Sequence, residues 1–297
     1  MEILPPETTE RIARIGFLAR GRMAGPISGR HASPNRGASV EFAEHRPYSP
    51  GDSPRDLDWR VLGKADRYYI KQYIEETNLR ATLLVDASGS MGYRGKAAAE
   101  GLSKFDYARR VAAALAYLFI KQQDSAGLVT FDTEVRNYLP PKTRKSQIRA
   151  IVEELTDTKP SKQSGVAATF HDIAERISPR GLVLVISDLF DDPDEILNGL
   201  QHFAHRNHEV IIFHVMADEE RHFPFKKFHR FRDLEGVDHA INVEPNAIRR
   251  EYLKRVNSFL EKIEKGCGAI QASYVPMNTK TPYDQALIQF LAQRRSK

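Results

Sequence analysis

The sequence predicts an α/β protein: a doubly wound, mostly parallel central sheet with helices on both faces, preceded by an N-terminal helical and β extension. Three observations carry this. Short, wholly apolar runs such as Leu83-Leu84-Val85 and residues 182–186 read as strands buried on both faces. Amphipathic stretches of helical period alternate with them, as at 105–122, where Tyr107, Val111, Leu115, Leu118 and Phe119 share one face. Two of the apolar runs stop at an aspartate, Asp86 and Asp188, and ligands of such sheets bind at the carboxyl ends of strands.

Composition sets the bounds. The 297 residues are 41% hydrophobic and 28% charged, which fits a globular chain of one large or two modest domains. A net charge of +5 permits an acidic partner, nucleic acid or a membrane surface and requires none. The single cysteine, Cys267, rules out an internal disulfide and reads as a small core residue between Gly266 and Gly268. The start lacks the basic and apolar regions of a signal peptide, and no apolar run is long enough to span a bilayer. The expectation is a cytoplasmic protein, with an extension at 1–78 and the main domain at 79–297.

In order along the chain, 6–23 reads as a helix with Ile12, Ile15, Leu18 and Ala19 inward and Arg11, Arg14, Arg20 and Arg22 around them. Residues 25–37, rich in Gly, Pro, Ser and Arg, read as a loop without the Gly-Lys-Ser/Thr of a phosphate-binding loop. Residues 40–71 interleave Glu41, Glu44, Arg46, Asp52, Arg55, Asp56, Asp58 and Arg60 with aromatics and Trp59, a pattern expected to form an internal network of ion pairs. Strands are expected at 68–74, 81–85, 126–131, 135–139, 182–186, 209–215 and 270–275, with a turn at 75–78 and Pro140-Pro141 ending the fourth. Helices are expected at 105–122, 148–155, 170–177, 195–208, 246–265 and 284–294. Residues 217–238, with many charges and phenylalanines, read as an ordered surface excursion.

The chemistry centres on Asp86-Ala87-Ser88-Gly89-Ser90. One carboxylate and two hydroxyls on a turn at a strand end are hard oxygen donors, suited to Mg²⁺, Mn²⁺ or Ca²⁺. If the strands ending at Asp86 and Asp188 are neighbours, these residues converge, and Ser164 or Thr169 adds a hydroxyl. With so few charged ligands the ion keeps positive character, and an outside carboxylate completes it. That is a docking device.

The chain is similar to the DUF58 family, a bacterial and archaeal group containing a von Willebrand factor A-like domain. The resemblance runs from about residue 25 to the C-terminus. It rests on Glu41-Phe42 through Arg46-x-Tyr48-x-x-Gly51-Asp52-x-x-Arg55-x-Leu57-Asp58-Trp59, then Asp86-Ala-Ser88-Gly-Ser90-Met91, then Ile186-Ser187-Asp188-Leu189. It implies a metal-ion-dependent adhesion site formed by Asp86, Ser88, Ser90 and Asp188. The loop threonine of that site is absent: Gln163-Ser164-Gly165 stands in its place, where Ser164 keeps the hydroxyl and Thr169 is the fallback. The resemblance further implies a partner, a MoxR-type AAA+ ATPase, and a chaperone-like role in assembly or maturation of other proteins.

Rival readings are weighed by chemistry. A metal-dependent phosphohydrolase using Asp86 as nucleophile lacks the second aspartate two residues on, where Ser88 stands. Ser88 and Ser90 lack a nucleophile elbow, and His171 is the nearest histidine to serve as a base. His202, His205 and His208 lack a fourth zinc ligand. Nucleic-acid binding by Lys226, Lys227, His229, Arg230 and Arg232 among Phe225, Phe228 and Phe231 is disfavoured, because those rings read as anchors to the core. The chain is therefore expected to be a non-enzymatic, metal-dependent protein-binding module.

Overall fold

The computed structural model describes residues 3–17, 31–33, 41–49, 57–65, 68–77, 79–161, 165–178, 180–226, 228–232, 234 and 240–296. The chain forms two compact units, one of residues 19–79 and one of residues 1–18 with 80–297.

Helix α1 (Pro6–Ile15) opens the larger unit with proline in its first turn, where a missing N–H costs nothing. It ends at Gly16, whose φ of +73° suits glycine, so it is shorter than the 6–23 expected. Ile12 is fully buried, and Arg11 pairs with Asp284 at 2.8 Å. Leu18, Ala19, Arg20 and Arg22 lie outside the described residues.

The smaller unit holds β1 (His31–Ser33), β2 (Glu41–Pro47), α2 (Trp59–Ala65) and β3 (Tyr69–Thr77), with β3 central and antiparallel to both other strands. The turn expected at 75–78 is strand through Thr77, because Glu75, Glu76 and Thr77 pair with Ser33, Ala32 and His31. Asp58 is buried and caps α2, its carboxylate accepting the Arg60 N–H at 2.9 Å. Trp59 is 64% exposed, so it does not centre a buried network as expected. Asp52, Arg55 and Asp56 lie outside the described residues.

The larger unit continues with β4 (Arg80–Asp86), α3 (Lys104–Lys121), β5 (Ser125–Phe131), β6 (Val135–Lys142), α4 (Ser146–Asp157), α5 (Val166–Arg176), β7 (Gly181–Ser187), α6 (Pro193–His205) and β8 (His208–Met216). Next come α7 (Asp218–His222), a hairpin of β9 (His229–Arg232) and β10 (Ala240–Val243), α8 (Pro245–Ala269), β11 (Ser273–Asn278) and α9 (Tyr283–Ser296). The six-stranded sheet has the order β11-β8-β7-β4-β5-β6 and is parallel except for β6. On one face Leu84, Val183, Val185 and Ile212 pack with Phe170, Phe203, Ile263 and Cys267 of α5, α6 and α8. Helix α3 covers the other face, against β4, β5, β7 and β8. Its start is fixed by Ser103, whose hydroxyl accepts the Asp106 N–H at 3.0 Å while the Asp106 carboxylate accepts the Ser103 N–H at 3.2 Å. This is the doubly wound, mostly parallel architecture that the sequence predicts and the von Willebrand A-like resemblance implies.

Two further expectations change. Pro140-Pro141 does not end β6; the strand runs to Lys142 because it is a sheet edge, where a missing donor is tolerated. Gly127 lets it pass closely, since a Cβ there would meet the Leu139 carbonyl at 2.7 Å. Helix α6 ends at His205, and His208 instead begins β8 and is buried, so the three histidines do not share a helix. The excursion anchors through Phe223, Phe225, Phe231 and Tyr252, while Phe228 is exposed.

Candidate metal centre

Strands β4 and β7 are parallel neighbours in register from Ala81↔Leu182 to Val85↔Ile186. The chain runs on from β4 to β5 on one side, and β7 leads to β8 on the other, so strand order reverses between β4 and β7. Asp86 and Asp188 leave the sheet side by side at that reversal.

Asp86 is fully buried. Its Oδ1 accepts the Ser88 N–H at 2.8 Å, and its Oδ2 accepts the Ser187 hydroxyl at 2.5 Å. The first bond closes the turn that brings Ser88 and Ser90 back over the strand end, their hydroxyls 3.1 Å apart. Burial, and next the charge of Asp188, push the Asp86 carboxyl up to about 7, against the opposing pull of Ser187 and Ser88.

Asp188 has a different environment. Burial, the largest influence, works against its ionisation, but the charge and hydrogen bond of Lys104, with Ser90 and His214, together outweigh it, and its carboxyl lies below the usual range. Lys104 is the first residue of α3 and fully buried; its Nζ donates to Asp188 Oδ2 at 2.7 Å and to Glu220 Oε1 at 2.5 Å. Burial disfavours its charge, yet these two carboxylates raise its pKa above the ordinary lysine value. His214 of β8 directs Nε2 to the Asp188 carbonyl at 2.9 Å and Nδ1 to the Tyr274 hydroxyl at 2.7 Å. Burial holds it neutral, with a pKa of about 4. Leu189 takes a left-handed φ of 52°, and its N–H donates to the Ser187 hydroxyl at 2.9 Å.

Of the residues expected at the site, Asp86, Ser88, Ser90 and Asp188 converge. Ser164 lies outside the described residues. Thr169 is buried, with its hydroxyl 2.9 Å from the Gly165 carbonyl and 3.2 Å from the Asp132 carbonyl. Asp192 does not fold back toward the turn; it caps α6, accepting the Asp194 N–H at 2.9 Å. His171, the candidate base, sits half-exposed beside Glu175 at 3.5 Å and packs on His202. Sequence reasoning missed Lys104, Ser187, His214 and Glu220. Ser187 was within reach, since it precedes Asp188; Lys104 carries no local signal.

The donors suit a hard divalent cation. Two buried carboxylates whose charges oppose one another, with two hydroxyls beside them, form a set that a cation would relieve. Beside Asp188 a cavity of about 360 Å³ has apolar walls from Leu189, Phe190, Met216, Val256 and Phe259, and Phe190 is 69% exposed at its rim.

A family model described as "Protein of unknown function DUF58" matches residues 44–260. An uncharacterized protein of Mycobacterium tuberculosis (strain ATCC 25618 / H37Rv), Rv1480, is 25% identical over 305 residues, covering 99% of this chain and 92% of its own length. Mb1516 of Mycobacterium bovis, also uncharacterized, gives the same figures. Among solved structures, BatB from Bacteroides thetaiotaomicron is 16% identical over 74% of this chain and 100% of its own, with a TM-score of 0.48. An aerotolerance-related membrane protein from Bacteroides fragilis NCTC 9343 is 16% identical over 73% and 100%, with a TM-score of 0.49. The SpRpn10 VWA domain is 12% identical over 71% and 95%, with a TM-score of 0.42. Among the described residues, no helix is long and apolar enough to cross a membrane.

Proposed function

We propose that this chain, which belongs to the DUF58 family, is a non-enzymatic protein-binding module that docks a partner's Asp or Glu on a divalent cation, Mg²⁺ in the first instance. The observation that carries the reading is the meeting of Asp86, Ser88, Ser90 and Asp188 at the switch point of the sheet. Asp86 and Asp188 would hold the ion through charge, and Ser88 and Ser90 through their hydroxyls. The bound ion supplies a positive docking point for an outside carboxylate. Phe190 and the apolar cavity beside it offer the same partner a place for an apolar side chain.

The surroundings favour binding over hydrolysis. Both nitrogens of His214, the imidazole nearest Asp188, are engaged, and burial keeps the ring neutral. Lys104 is held charged between two carboxylates and is a poor base. The family resemblance implies a MoxR-type AAA+ ATPase as partner and a chaperone-like role.

Calorimetry with MgCl₂ and MnCl₂ tests the metal. Binding should appear in the wild type and vanish in Asp86→Ala, with Asp86→Asn as the better-packed control. Equal affinity in wild type and both variants would overturn the reading. Capture from lysate should recover an AAA+ ATPase in Mg²⁺ and lose it in EDTA. Saturable phosphomonoester hydrolysis that disappears in both Asp86→Asn and Asp188→Asn would establish the phosphohydrolase instead.

A further inference from the structure

The opposite end of the sheet has a different chemistry. Strand β4 runs seven residues from Arg80 to Asp86, so its two ends lie about 20 Å apart at ~3.3 Å per residue. At the Arg80 end a cavity of about 250 Å³ is lined by Arg80, Thr82, Tyr138, Ser178, Arg180 and His208, with no aspartate or glutamate in its described lining.

Arg80 and Arg180 are exposed, and neither guanidinium has a hydrogen bond or ion pair among the described residues. The backbone N–H of Arg180 donates to the Arg206 carbonyl at 3.2 Å, which ties the two arginine-bearing turns together. Arg206 has a buried Nε with no partner. His208 is only 9% exposed; the Gly181 backbone approaches its ring, yet neither ring nitrogen completes a hydrogen bond. A buried polar group left unsatisfied is expensive, and an unseen ligand is one of its ordinary explanations. Burial first, and the nearby Arg206 second, bring the imidazole to a pKa of about 4, so it is neutral and presents one N–H.

We propose that this cavity is a binding site for a small phosphate-bearing anion, held by Arg80 and Arg180 with His208 as a buried donor. Guanidinium forks match the paired oxygens of phosphate. Tyr138, Ser178 and Thr82, which also line the cavity, carry hydroxyls able to donate to such an anion. The volume lies below the range that takes drug-sized ligands, which selects inorganic phosphate or a small phosphomonoester over a nucleotide.

The test is calorimetry on the full chain, without divalent metal, using inorganic phosphate and O-phosphoserine at constant ionic strength against a chloride control. Saturable binding is expected, weakened about tenfold in Arg80→Gln and in Arg180→Gln. Both arginines are exposed, so the variants should melt with the wild type. The His208 imidazole signals should move on phosphate titration. Tighter binding of O-phosphoserine would identify a phosphorylated group as the natural ligand; equal binding would identify free phosphate. Heats matching the chloride control, unchanged affinity in the double variant, or a His208 ring that does not respond would each overturn the site. Because Asp86 lies at the far end of β4, Asp86→Asn should leave phosphate binding intact.

Discussion

The two ends of the central sheet handle buried polarity in opposite ways. At the carboxyl end, Asp188 and Glu220 both accept from one internal cation, Lys104, and Asp86 lies beside Asp188. At the amino end, Arg80 and Arg180 meet no carboxylate among the described residues, and His208 has neither nitrogen satisfied. Lys104 at one end is part of the folded structure, because it neutralises charge that the core cannot otherwise hold. The arginines at the other end reach water and cost the fold little. The same sheet thus has one pole where changing a charge threatens folding and another where it changes only what binds.

The largest expected effect tests this contrast at its strongest point. Lys104→Met leaves Asp188 and Glu220 without their cation, and breaking a buried pair costs roughly 3–5 kcal/mol. Melting in EDTA should fall sharply, and Mg²⁺ should recover part of the loss by supplying charge beside Asp188. An unchanged melting point would erase the distinction between the poles. A middle-sized effect lies in the pH dependence. His214 and His208 have folded pKa values of about 4, below the ordinary 6.5, so the unfolded chain binds more protons between those values and stability falls as pH drops from 6.5 toward 4. Asp86 acts in reverse: its folded value of about 7 means that stability falls as pH rises from 3.8 to 7. Asp86→Asn removes that counterweight and should steepen the acid loss in thermal melts at pH 4 to 7; an unaltered slope would show that Asp86 ionises normally. The smallest effect is at the arginines, where Arg80→Gln and Arg180→Gln should each shift stability by less than about 0.5 kcal/mol by urea unfolding. A larger loss would make them structural and blur the contrast from the other side.

What could be read in the sequence was local. An apolar run ending at Asp86, with serines at alternate positions, announces both a strand and its turn without any knowledge of neighbours. The helix of Tyr107, Val111 and Leu115 is legible for the same reason. Residues that matter through topology were not legible. Lys104 looks like an ordinary lysine at a helix start, and only the placement of α3 over β7 sets it 2.7 Å from Asp188. The end of α6 is hidden in the sequence because His208 continues the helical pattern in one dimension, while β8 takes it through pairing with Gly181. Nothing local marks Thr77 as strand, because its partner, His31, lies far upstream in a loop-like composition.

The edge prolines have a consequence for how this protein meets others. β6 carries Pro140 and Pro141, and β11, the opposite edge of the six-stranded sheet, carries Pro276. A proline on an edge strand lowers the number of donors that an added foreign strand can use. Lateral growth of the six-stranded sheet, whether by a partner's extended peptide or by a neighbouring copy in a fibril, is thereby disfavoured at both edges. On the six-stranded sheet this favours recognition at the ends of the strands, and two of the three prolines, Pro140 and Pro141, also line the cavity at the Arg80 end.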